Sequence, residues 1–219
     1  MEQYLQVQTR SAEERRRLLP GWLGMWRTEL GDDCHRITSL YHWESYEQRD
    51  ESLGSVVDST QSARTLPLPA TRDKLSSSRA YVMVEATETL QACGLGGALG
   101  FSASPRAEPR PAWELRTYRL HLGYSTVPKF LELYGDGLRD KLSADDSGAS
   151  TLVTLLYSDV GPLNMVVELW RHESLERSLA SRQASRAATK WRAAIGEIAA
   201  IAHTFDTQYI RPLSESPWQ

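Results

Sequence analysis

The chain has 219 residues, of which 41% are hydrophobic and 24% are charged, so neither a fibrous nor a wholly disordered protein is expected. The formal net charge is -3 and the isoelectric point is about 6.0, which gives no global positive field for holding nucleic acid. The two cysteines, Cys34 and Cys93, do not form the pattern of a disulfide-rich secreted domain. No apolar run reaches the roughly eighteen residues that a transmembrane helix needs, and no segment reads as a targeting signal.

The first half of the chain is predicted to fold as a helix, a β-hairpin, a second helix and a strand. Alternating β-branched and aromatic residues indicate the strands, and Gly31-Asp32-Asp33 supplies the hairpin turn. In chain order, the elements are predicted at Tyr4–Leu19, Trp22–Leu30, His35–Trp43, Tyr46 to about Arg64, and Arg79–Glu85.

Residues 87–112 are rich in glycine, alanine, serine and proline, which is typical of a connecting loop. We therefore predict a first repeat at 1–86, a linker at 87–112 and a second repeat at 113–219. Within the linker, Cys93–Gly100 invites comparison with phosphate-binding glycine loops. The third glycine of that pattern would have to stand at Leu99, and Ser104-Pro105 follows instead of a helix, so a flexible linker is favoured.

The second half shows a complete β-α-β-β-α-β order, which predicts two helices over one face of a four-stranded antiparallel sheet. Its first helix is expected to begin at an N-cap on Thr126, with Pro128 in the first turn. Its second helix is expected to be long, bent midway and apolar along a face that includes Leu175 and Leu179. The elements are predicted at Trp113–His121, Thr126–Leu142, Thr151–Tyr157, Met165–Trp170, Leu175–Ala202 and Phe205–Ile210.

The two halves resemble each other. Thr38–Arg49 and Met165–Arg177 both read as an alternating strand, a tryptophan, a polar break and a helix, with Trp43 and Trp170 as matched anchors. The fold class predicted from the residues is therefore α+β, built from tandem ferredoxin-like repeats.

The first repeat has no counterpart of the leading strand. Gln3–Thr9 alternates weakly, but helix is favoured over strand there. We therefore expect three strands in the first repeat and four in the second. Arg79–Glu85 is then expected either beside His35–Trp43 or at an edge open to another chain.

Several residues are of types that occur at functional sites, but a structural role is favoured for each. Asp32, Asp33, Cys34, His35 and His42 include metal-ligand types, but the aspartates suit the hairpin turn. His121, His172 and His203 match no haem-ligand pattern. Trp43 and Trp170 suit core packing better than ligand stacking. No hydrolase, zinc, redox or nucleotide-binding motif is present in the sequence.

An ordered set of segments resembles the NIPSNAP family. The set comprises Trp113–Leu120, Gly161–Trp170, His172–Ser174 and Ile210–Trp218, with weaker support from Leu23–Arg49. The resemblance implies two ferredoxin-like halves that form a dimeric α/β barrel within one chain. It also implies an association with mitochondria and roles in mitophagy signalling and vesicle trafficking. The absence of a leading strand and of a transit segment departs from the family pattern.

The function expected from this resemblance is that of a non-enzymatic adaptor that binds other proteins. The resemblance supplies no catalytic residue, and we predict no cofactor and no metal ligand. The alternative is an enzyme of the same fold with a pocket for haem or another small molecule. Mitochondrial and cytoplasmic locations both stay open, as does a homo-oligomer. A polar cavity with a histidine would favour the enzyme, whereas bulky side chains filling the fold would favour the adaptor.

Overall fold

The structure is a computed structural model that describes residues 2–60, 76–102 and 111–219. It contains two compact units. The first comprises Met1–Arg27, Cys34–Ala80 and Pro212–Gln219, and the second comprises Thr28–Asp33 and Tyr81–Arg211. The predicted division into residues 1–86, 87–112 and 113–219 stays a prediction.

The first unit consists of short helices, a β-hairpin and a longer helix. Its elements are α1 (Glu2–Arg10), α2 (Ala12–Leu18), β1 (Trp22–Leu30), β2 (Ile37–Tyr41) and α3 (Tyr46–Thr60). β1 and β2 pair antiparallel, with Trp22 opposite Tyr41. Buried Leu19 and Leu53 form a small apolar cluster with Leu18, Tyr41 and Trp43.

The C-terminal tail also belongs to the first unit. The backbone N–H of Leu213 donates to the Met25 carbonyl at 2.9 Å, and that of Trp218 donates to the Leu23 carbonyl at 3.2 Å. The Trp218 ring lies 6.2 Å from the Trp26 ring. These contacts place the end of the chain alongside β1.

The predicted first helix is confirmed, but it is divided in two at Ser11. The Ser11 hydroxyl donates to the Val7 carbonyl at 2.8 Å, a local bond of the kind that competes with regular helix. Gln3–Thr9 lies within α1, so the preference for helix over strand in this segment is also confirmed. The predicted helix residues 61–64 lie outside the described residues.

The second unit holds five strands and five helices among the described residues. In chain order they are β3 (Val82–Glu85), α4 (Thr87–Ala92), α5 (Gly97–Gly100), β4 (Ala112–Leu120), α6 (Thr126–Ala144), β5 (Ser150–Val160), β6 (Met165–His172), α7 (Leu175–Ser185), α8 (Thr189–Ile201) and β7 (Ala202–Pro212). The β-α-β-β-α-β order predicted for this half is confirmed.

The strands of the second unit follow the spatial order β7-β4-β6-β5-β3, and the pairs resolved in register are antiparallel. β4 therefore lies between β6 and β7, as the first strand of a ferredoxin-like sheet does. In this register Glu114 lies opposite both Trp170 and Tyr209, and Arg116 lies opposite Glu168.

One face of this sheet is covered by helices, and apolar side chains fill much of the space between them. Tyr118 of β4 packs edge-to-face against Phe130 of α6, with the ring centroids 4.9 Å apart. Tyr134 of α6 meets Trp191 of α8 at 5.3 Å. The buried residues of this core are Ala86, Leu90, Tyr118, Leu120, Phe130, Leu133, Tyr134, Leu138, Leu152, Leu155, Val166, Trp170, Ala188, Trp191 and Ile198.

The expectation of a loop throughout 87–112 was wrong. Residues 87–92 and 97–100 are helical, and Leu90 is 1% exposed within the core of the second unit. Burial of this leucine contributes stabilising free energy that attaches α4 to the core. The glycine-rich composition around it does not indicate this contribution. Residues 103–110 lie outside the described residues.

Among the described residues, the expected three strands within 1–86 and four strands in the second half are confirmed. Arg79–Glu85 does not join the first hairpin, however, and lies at a sheet edge, the second of the two placements expected for it. Val82–Glu85 forms β3, which pairs with β5. The backbone N–H of Ala86 then donates to the Leu155 carbonyl at 2.9 Å. Together with the burial of Leu90, this pairing draws the strand to the edge of the second unit's sheet.

The helices of the second half differ from the prediction in two details, the cap residue of α6 and the buried face of α7. Thr126 is the first residue of α6 and the cap position falls on Ser125, because the Ser125 carbonyl accepts a helical hydrogen bond from the Lys129 backbone N–H at 2.9 Å. The predicted midway bend is confirmed as a break between α7 and α8. However, Leu179 is 55% exposed, and α7 instead buries Ser178, Ser181 and Ser185.

The predicted match between the two tryptophans is inexact. Trp170 lies inside β6, whereas Trp43 lies two residues beyond the end of β2 and stacks on Tyr41 at 6.0 Å. The tandem repeat is therefore not established by these positions.

The contact between α6 and α8 gives a prediction about stability. A Cβ added at Gly137 would lie 2.8 Å from the Ala194 Cβ and 3.1 Å from the Trp191 Cα. We expect Gly137→Ala to lower the free energy of unfolding by about 1–3 kcal/mol through overpacking. Chemical denaturation should measure the change.

The matched control is Gly196→Ala on α8, where an added Cβ meets nothing within 4 Å. This change should raise stability by about 0.5–1 kcal/mol, because alanine restricts the unfolded chain more than glycine does. Equal effects at both positions would contradict the close packing described.

Candidate functional site

Charged residues occupy part of the helix-covered face that apolar residues fill elsewhere. Strand alternation directs Glu114 and Arg116 of β4 to the same face as Tyr118, and Glu168 and His172 of β6 to the same face as Trp170. Lys141 of α6 and Arg182 of α7 complete what we call the charged cluster: Glu114, Arg116, Lys141, Glu168, His172 and Arg182. Buried charges are costly unless they are paired, so the partners of each residue define the site.

Glu114 is the residue on which most of these contacts converge. It is 0% exposed and accepts from Arg116 Nε at 2.9 Å and Nη2 at 3.1 Å. It also accepts from Arg182 and lies 3.1 Å from His172 Nε2. Burial alone would raise the pKa of Glu114, but the His172 hydrogen bond and the charges of Arg116 and Arg182 outweigh burial and hold that pKa well below its usual range.

Glu168 is the second buried carboxylate. Arg116 Nη1 lies 3.7 Å from its Oε2, to which the Trp170 indole N–H also donates. Its Oε1 accepts no hydrogen bond of ordinary geometry from the described residues. Burial first, and then the charge of Glu168, raise the pKa of both Tyr118 and Tyr134 well above the ordinary value.

Lys141 lies in the last turn of α6 and is 4% exposed. Its Nζ lies 3.8 Å from the Trp170 ring centroid and 4.5 Å from that of Trp191, a cation–π arrangement. Burial, followed by the nearby Arg116 charge, lowers the pKa of Lys141 to about 7. Near neutral pH this amine can therefore hold or release a proton.

The charges of the cluster balance only when Lys141 is neutral. With His172 not counted, the negative charges of Glu114 and Glu168 equal the positive charges of Arg116 and Arg182. A protonated Lys141 would add one positive charge that no carboxylate of the cluster offsets. Among the cluster residues that form ion pairs, Arg182 is the most exposed, since 39% of its side chain is accessible. The arrangement can store a proton and can fix the helices on the sheet, but it presents no exposed nucleophile.

A surface cleft of about 580 Å³ lies at α4, α6 and the start of α8 and contains no member of the charged cluster. Its charged side chains support helix ends. Arg139 Nε donates to the Ala92 carbonyl at 2.8 Å, and Asp140 accepts from the Lys190 backbone N–H at 2.7 Å. The cleft and the cluster are therefore separate features.

The glycine-rich stretch binds a carboxylate of its own chain. The backbone N–H of Ala98 donates to Glu85 Oε1 at 2.7 Å, and the Thr154 hydroxyl donates to the same oxygen at 2.6 Å. A Cβ at Gly97 would lie 2.7 Å from Glu85. This glycine is needed for the close approach of that carboxylate. The contact agrees with the interpretation, based on the glycine spacing, that this stretch is not a phosphate-binding loop.

The three histidines of the second half lie at two different places in the structure. His172 belongs to the charged cluster, with Nδ1 2.8 Å from the Ser150 hydroxyl. His121 and His203 are exposed and lie together, with Nδ1 of the first 2.9 Å from Nε2 of the second. This pairing could not be predicted from local sequence patterns, because 82 positions separate the two residues.

The metal-ligand types of the first hairpin remain a surface group. Asp33, Cys34 and His35 are exposed, and His42 is half-buried. The Asp32 carboxylate accepts from the Asp33 backbone N–H at 2.7 Å and from Gln208 Nε2 at 3.1 Å. The turn role expected for Asp32 agrees with this local bond.

Sequence reasoning missed five members of the cluster: Glu114, Arg116, Lys141, Glu168 and Arg182. The available signal was weak. Glu114, Arg116 and Tyr118 alternate on one strand face, but the opposite face carries Trp113 and Leu115, so the pattern does not show which face is inside.

Residues 113–217 match the model of the NIPSNAP family. We call this matched segment, which is just under half of the chain, the NIPSNAP domain. The resemblance found in the sequence is confirmed. Protein NipSnap homolog 3B of Mus musculus is 24% identical over 198 residues, covering 89% of this chain and 71% of the mouse protein.

Solved structures are similar to the chain at the level of fold. A NIPSNAP family protein of unknown function from Agrobacterium tumefaciens is 24% identical, covers 52% of this chain and 98% of its own, and gives a TM-score of 0.46. A putative monooxygenase from Lactobacillus acidophilus is 8% identical, covers 97% of this chain and 87% of its own, and gives a TM-score of 0.56. The likeness to the Lactobacillus protein supports a mixed α/β fold with an antiparallel sheet.

The whole charged cluster lies within the NIPSNAP domain, between Glu114 and Arg182. It is thus a feature of this domain's interior. Within the described ranges, no helix is both long and apolar enough to cross a membrane.

Glu114 gives a prediction about the stability of the NIPSNAP domain. Glu114→Gln removes the charge that Arg116 and Arg182 share in the core, so we expect a loss of about 3 kcal/mol or more in the free energy of unfolding. Exposed Glu132 forms a surface pair with Lys129 at 3.4 Å, and Glu132→Gln should change stability by less than about 0.5 kcal/mol. Similar losses in urea denaturation would show that Glu114 is not a central support.

Lys141 gives a prediction about pH dependence. With a folded pKa of about 7 and an unfolded pKa of about 10.4, the unfolded chain holds an extra proton between these values. Stability should therefore rise as pH increases through this window, by at most about 1.4 kcal/mol per pH unit. Lys141→Met should remove this part of the rise.

The control for this experiment is Lys129→Met, at an exposed position on the same helix. Urea denaturation between pH 7 and 10 should give wild-type and Lys129→Met profiles of equal slope and a flatter profile for Lys141→Met. Three parallel profiles would mean that Lys141 is charged throughout this range in the folded protein.

Proposed function

We propose that the protein is a non-enzymatic adaptor of the NIPSNAP type that binds other proteins through exposed loops. The observation that carries this proposal is the dense filling of the helix-covered face. Phe130, Tyr134 and Leu138 are 0% exposed, and Trp170 is 1% exposed. Bulky side chains thus occupy the space in which an enzyme of this fold would need a substrate cavity.

The charged cluster supports the same proposal. A catalytic acid, base or nucleophile must come within hydrogen-bond reach of its substrate. Glu114 and Glu168 are 0% exposed, His172 is 2% exposed and Lys141 is 4% exposed, and their polar atoms contact other side chains of the same domain. These groups are placed to stabilise the domain.

A group of exposed apolar side chains offers a surface for a partner. Leu122, Tyr124 and Leu163 are 82%, 106% and 64% exposed; we call them the loop-tip patch. The Asn164 side-chain amide donates to the carbonyls of His121 at 2.7 Å and Gly123 at 3.1 Å, so the two loops are tied together. Exposed apolar groups on an ordered support are typical of protein-binding sites.

The finer features of the proposal come from the family resemblance. They are association with mitochondria, roles in mitophagy signalling or vesicle trafficking, and tandem ferredoxin-like repeats that form a dimeric α/β barrel within one chain. A homo-oligomer and a cytoplasmic location are compatible with the same adaptor role.

The alternative function is an enzyme that binds haem or another small molecule within the fold. The perturbed Lys141 amine and the Glu168 oxygen without an ordinary hydrogen bond favour it, because perturbed ionisable groups concentrate at functional sites.

Proximity labelling of the full-length protein in its own cells tests the adaptor proposal. Leu122→Ser combined with Tyr124→Ser should remove specific labelled proteins, because it deletes apolar area available to a partner. Leu179→Ser is the control, since Leu179 is 55% exposed on α7 and lies outside the patch. Loss of the same proteins in both variants would contradict a partner site at the loop tips.

A thermal melt distinguishes the alternative. A ligand that binds only the folded protein must raise its melting temperature, and we expect no rise with haem. A clear rise that is abolished by His121→Ala or His203→Ala would replace the adaptor proposal with the pocket proposal.

A further inference from the structure

Two histidines from distant parts of the sequence meet at the end of the second unit's sheet. β4 ends at Leu120, which pairs with Ala202 at the start of β7. The next residue of each strand is a histidine, His121 and His203 respectively. The His121 backbone N–H donates to the Ile201 carbonyl at 2.9 Å. In an antiparallel pair the residues after Leu120 and Ala202 run in opposite directions, but the register shifts here and His203 is the extra residue of a β-bulge. The bulge brings the His203 ring next to that of His121.

The two ring nitrogens are as close together as two ligands of one ion, although the rings meet edge to face. His121 Nδ1 and His203 Nε2 are 2.9 Å apart, and the ring centroids are 3.8 Å apart. Two imidazole nitrogens bound to one ion at 2.0–2.1 Å lie about 2.9 Å apart at a right angle and about 3.3 Å apart at the tetrahedral angle. Rotation of the two exposed side chains, so that both nitrogen lone pairs point at one position, would place both nitrogens on the same ion.

The support beneath the pair is ordered. The Asn164 side-chain amide holds the His121 carbonyl at 2.7 Å, and the Leu120 backbone N–H donates to the Asn164 carbonyl at 2.8 Å. A backbone fixed in this way loses little conformational freedom when a ligand binds, which favours binding. Both histidines are exposed, so an ion reaches them directly from solvent.

We propose that His121 and His203 form a surface binding site for a divalent transition-metal ion such as Zn²⁺. Imidazole is a good ligand for Zn²⁺, Cu²⁺ and Ni²⁺ and a poor one for Mg²⁺ and Ca²⁺. The two histidines supply two of the ligands, and water or a group from another molecule completes the coordination. This site is distinct from the charged cluster, whose histidine is His172.

The competing arrangement is a simple hydrogen bond between the two rings, in which one ring donates its N–H to the other. That bond fits the same 2.9 Å distance. Metal binding distinguishes the two arrangements, because only chelation makes affinity for Zn²⁺ depend on both rings together.

Isothermal titration of the full-length protein with ZnCl₂, after removal of metal by EDTA, tests the proposal. We expect saturable binding that weakens at least tenfold in His121→Ala and in His203→Ala. His35→Ala is the matched control, because His35 is exposed beside Cys34 and Asp33, the other surface group of metal-ligand types. It should leave the affinity of the pair unchanged.

Nuclear magnetic resonance of the wild-type protein gives a second measurement that needs no variant to fold. Addition of Zn²⁺ should shift the imidazole signals of His121 and His203 together, and MgCl₂ should not. Wild-type Zn²⁺ affinity in either alanine variant, or shifts confined to His35 and His42, would overturn the proposal.

Discussion

The packing of the NIPSNAP domain depends on one buried carboxylate. Glu114 lies on β4, the strand between β6 and β7, and its side chain contacts groups from β6 and α7 as well as from its own strand. Ser178 extends these contacts, since its hydroxyl lies 2.8 Å from the Tyr209 hydroxyl on β7. Glu114 therefore joins two strands and a helix directly, and a third strand through Ser178. Apolar packing lacks the directionality of these hydrogen bonds and ion pairs.

The dependence is greatest for α7. Helices usually attach to a sheet through an apolar stripe, but the buried residues of α7 are Ser178, Ser181 and Ser185. Its attachment relies on Arg182 and Ser178, which contact Glu114. α8 differs, because it buries Trp191, Ala194 and Ile198. The break between the two helices thus separates a polar attachment from an apolar one.

Local pattern was sufficient to predict most elements of the chain. Hairpin strands and amphipathic helices have short-range signals, and the complete strand order of the second half followed from them. The partner of β3 was beyond such reasoning, because pairing with β5 depends on contacts with residues more than 60 positions away. α4 was missed because a single buried leucine, Leu90, outweighs the loop-like composition around it.

The charged cluster could not be predicted from the same signals. Charged residues on a strand ordinarily face water, and the sequence of β4 fits either face as the interior. The cluster becomes visible only when β6, α6 and α7 are assembled, since each charge has partners on other elements. Replacing such a cluster by apolar residues can leave stability unchanged or raise it. The cluster therefore contributes specificity of strand pairing. Its ion pairs favour the register of β4 against β6 that places Arg116 opposite Glu168.

The central strand also separates the domain's interior chemistry from its surface chemistry. Glu114 lies near the start of β4, and His121 directly follows its end, so about seven residues or roughly 23 Å of extended chain separate them. Energetic effects at sites this far apart usually add independently. The histidine pair and the loop-tip patch can therefore vary without disturbing the cluster that holds the helices on the sheet. The charged cluster at one end of β4 therefore stabilises the domain, while the histidine pair and the loop-tip patch at the other end face solvent.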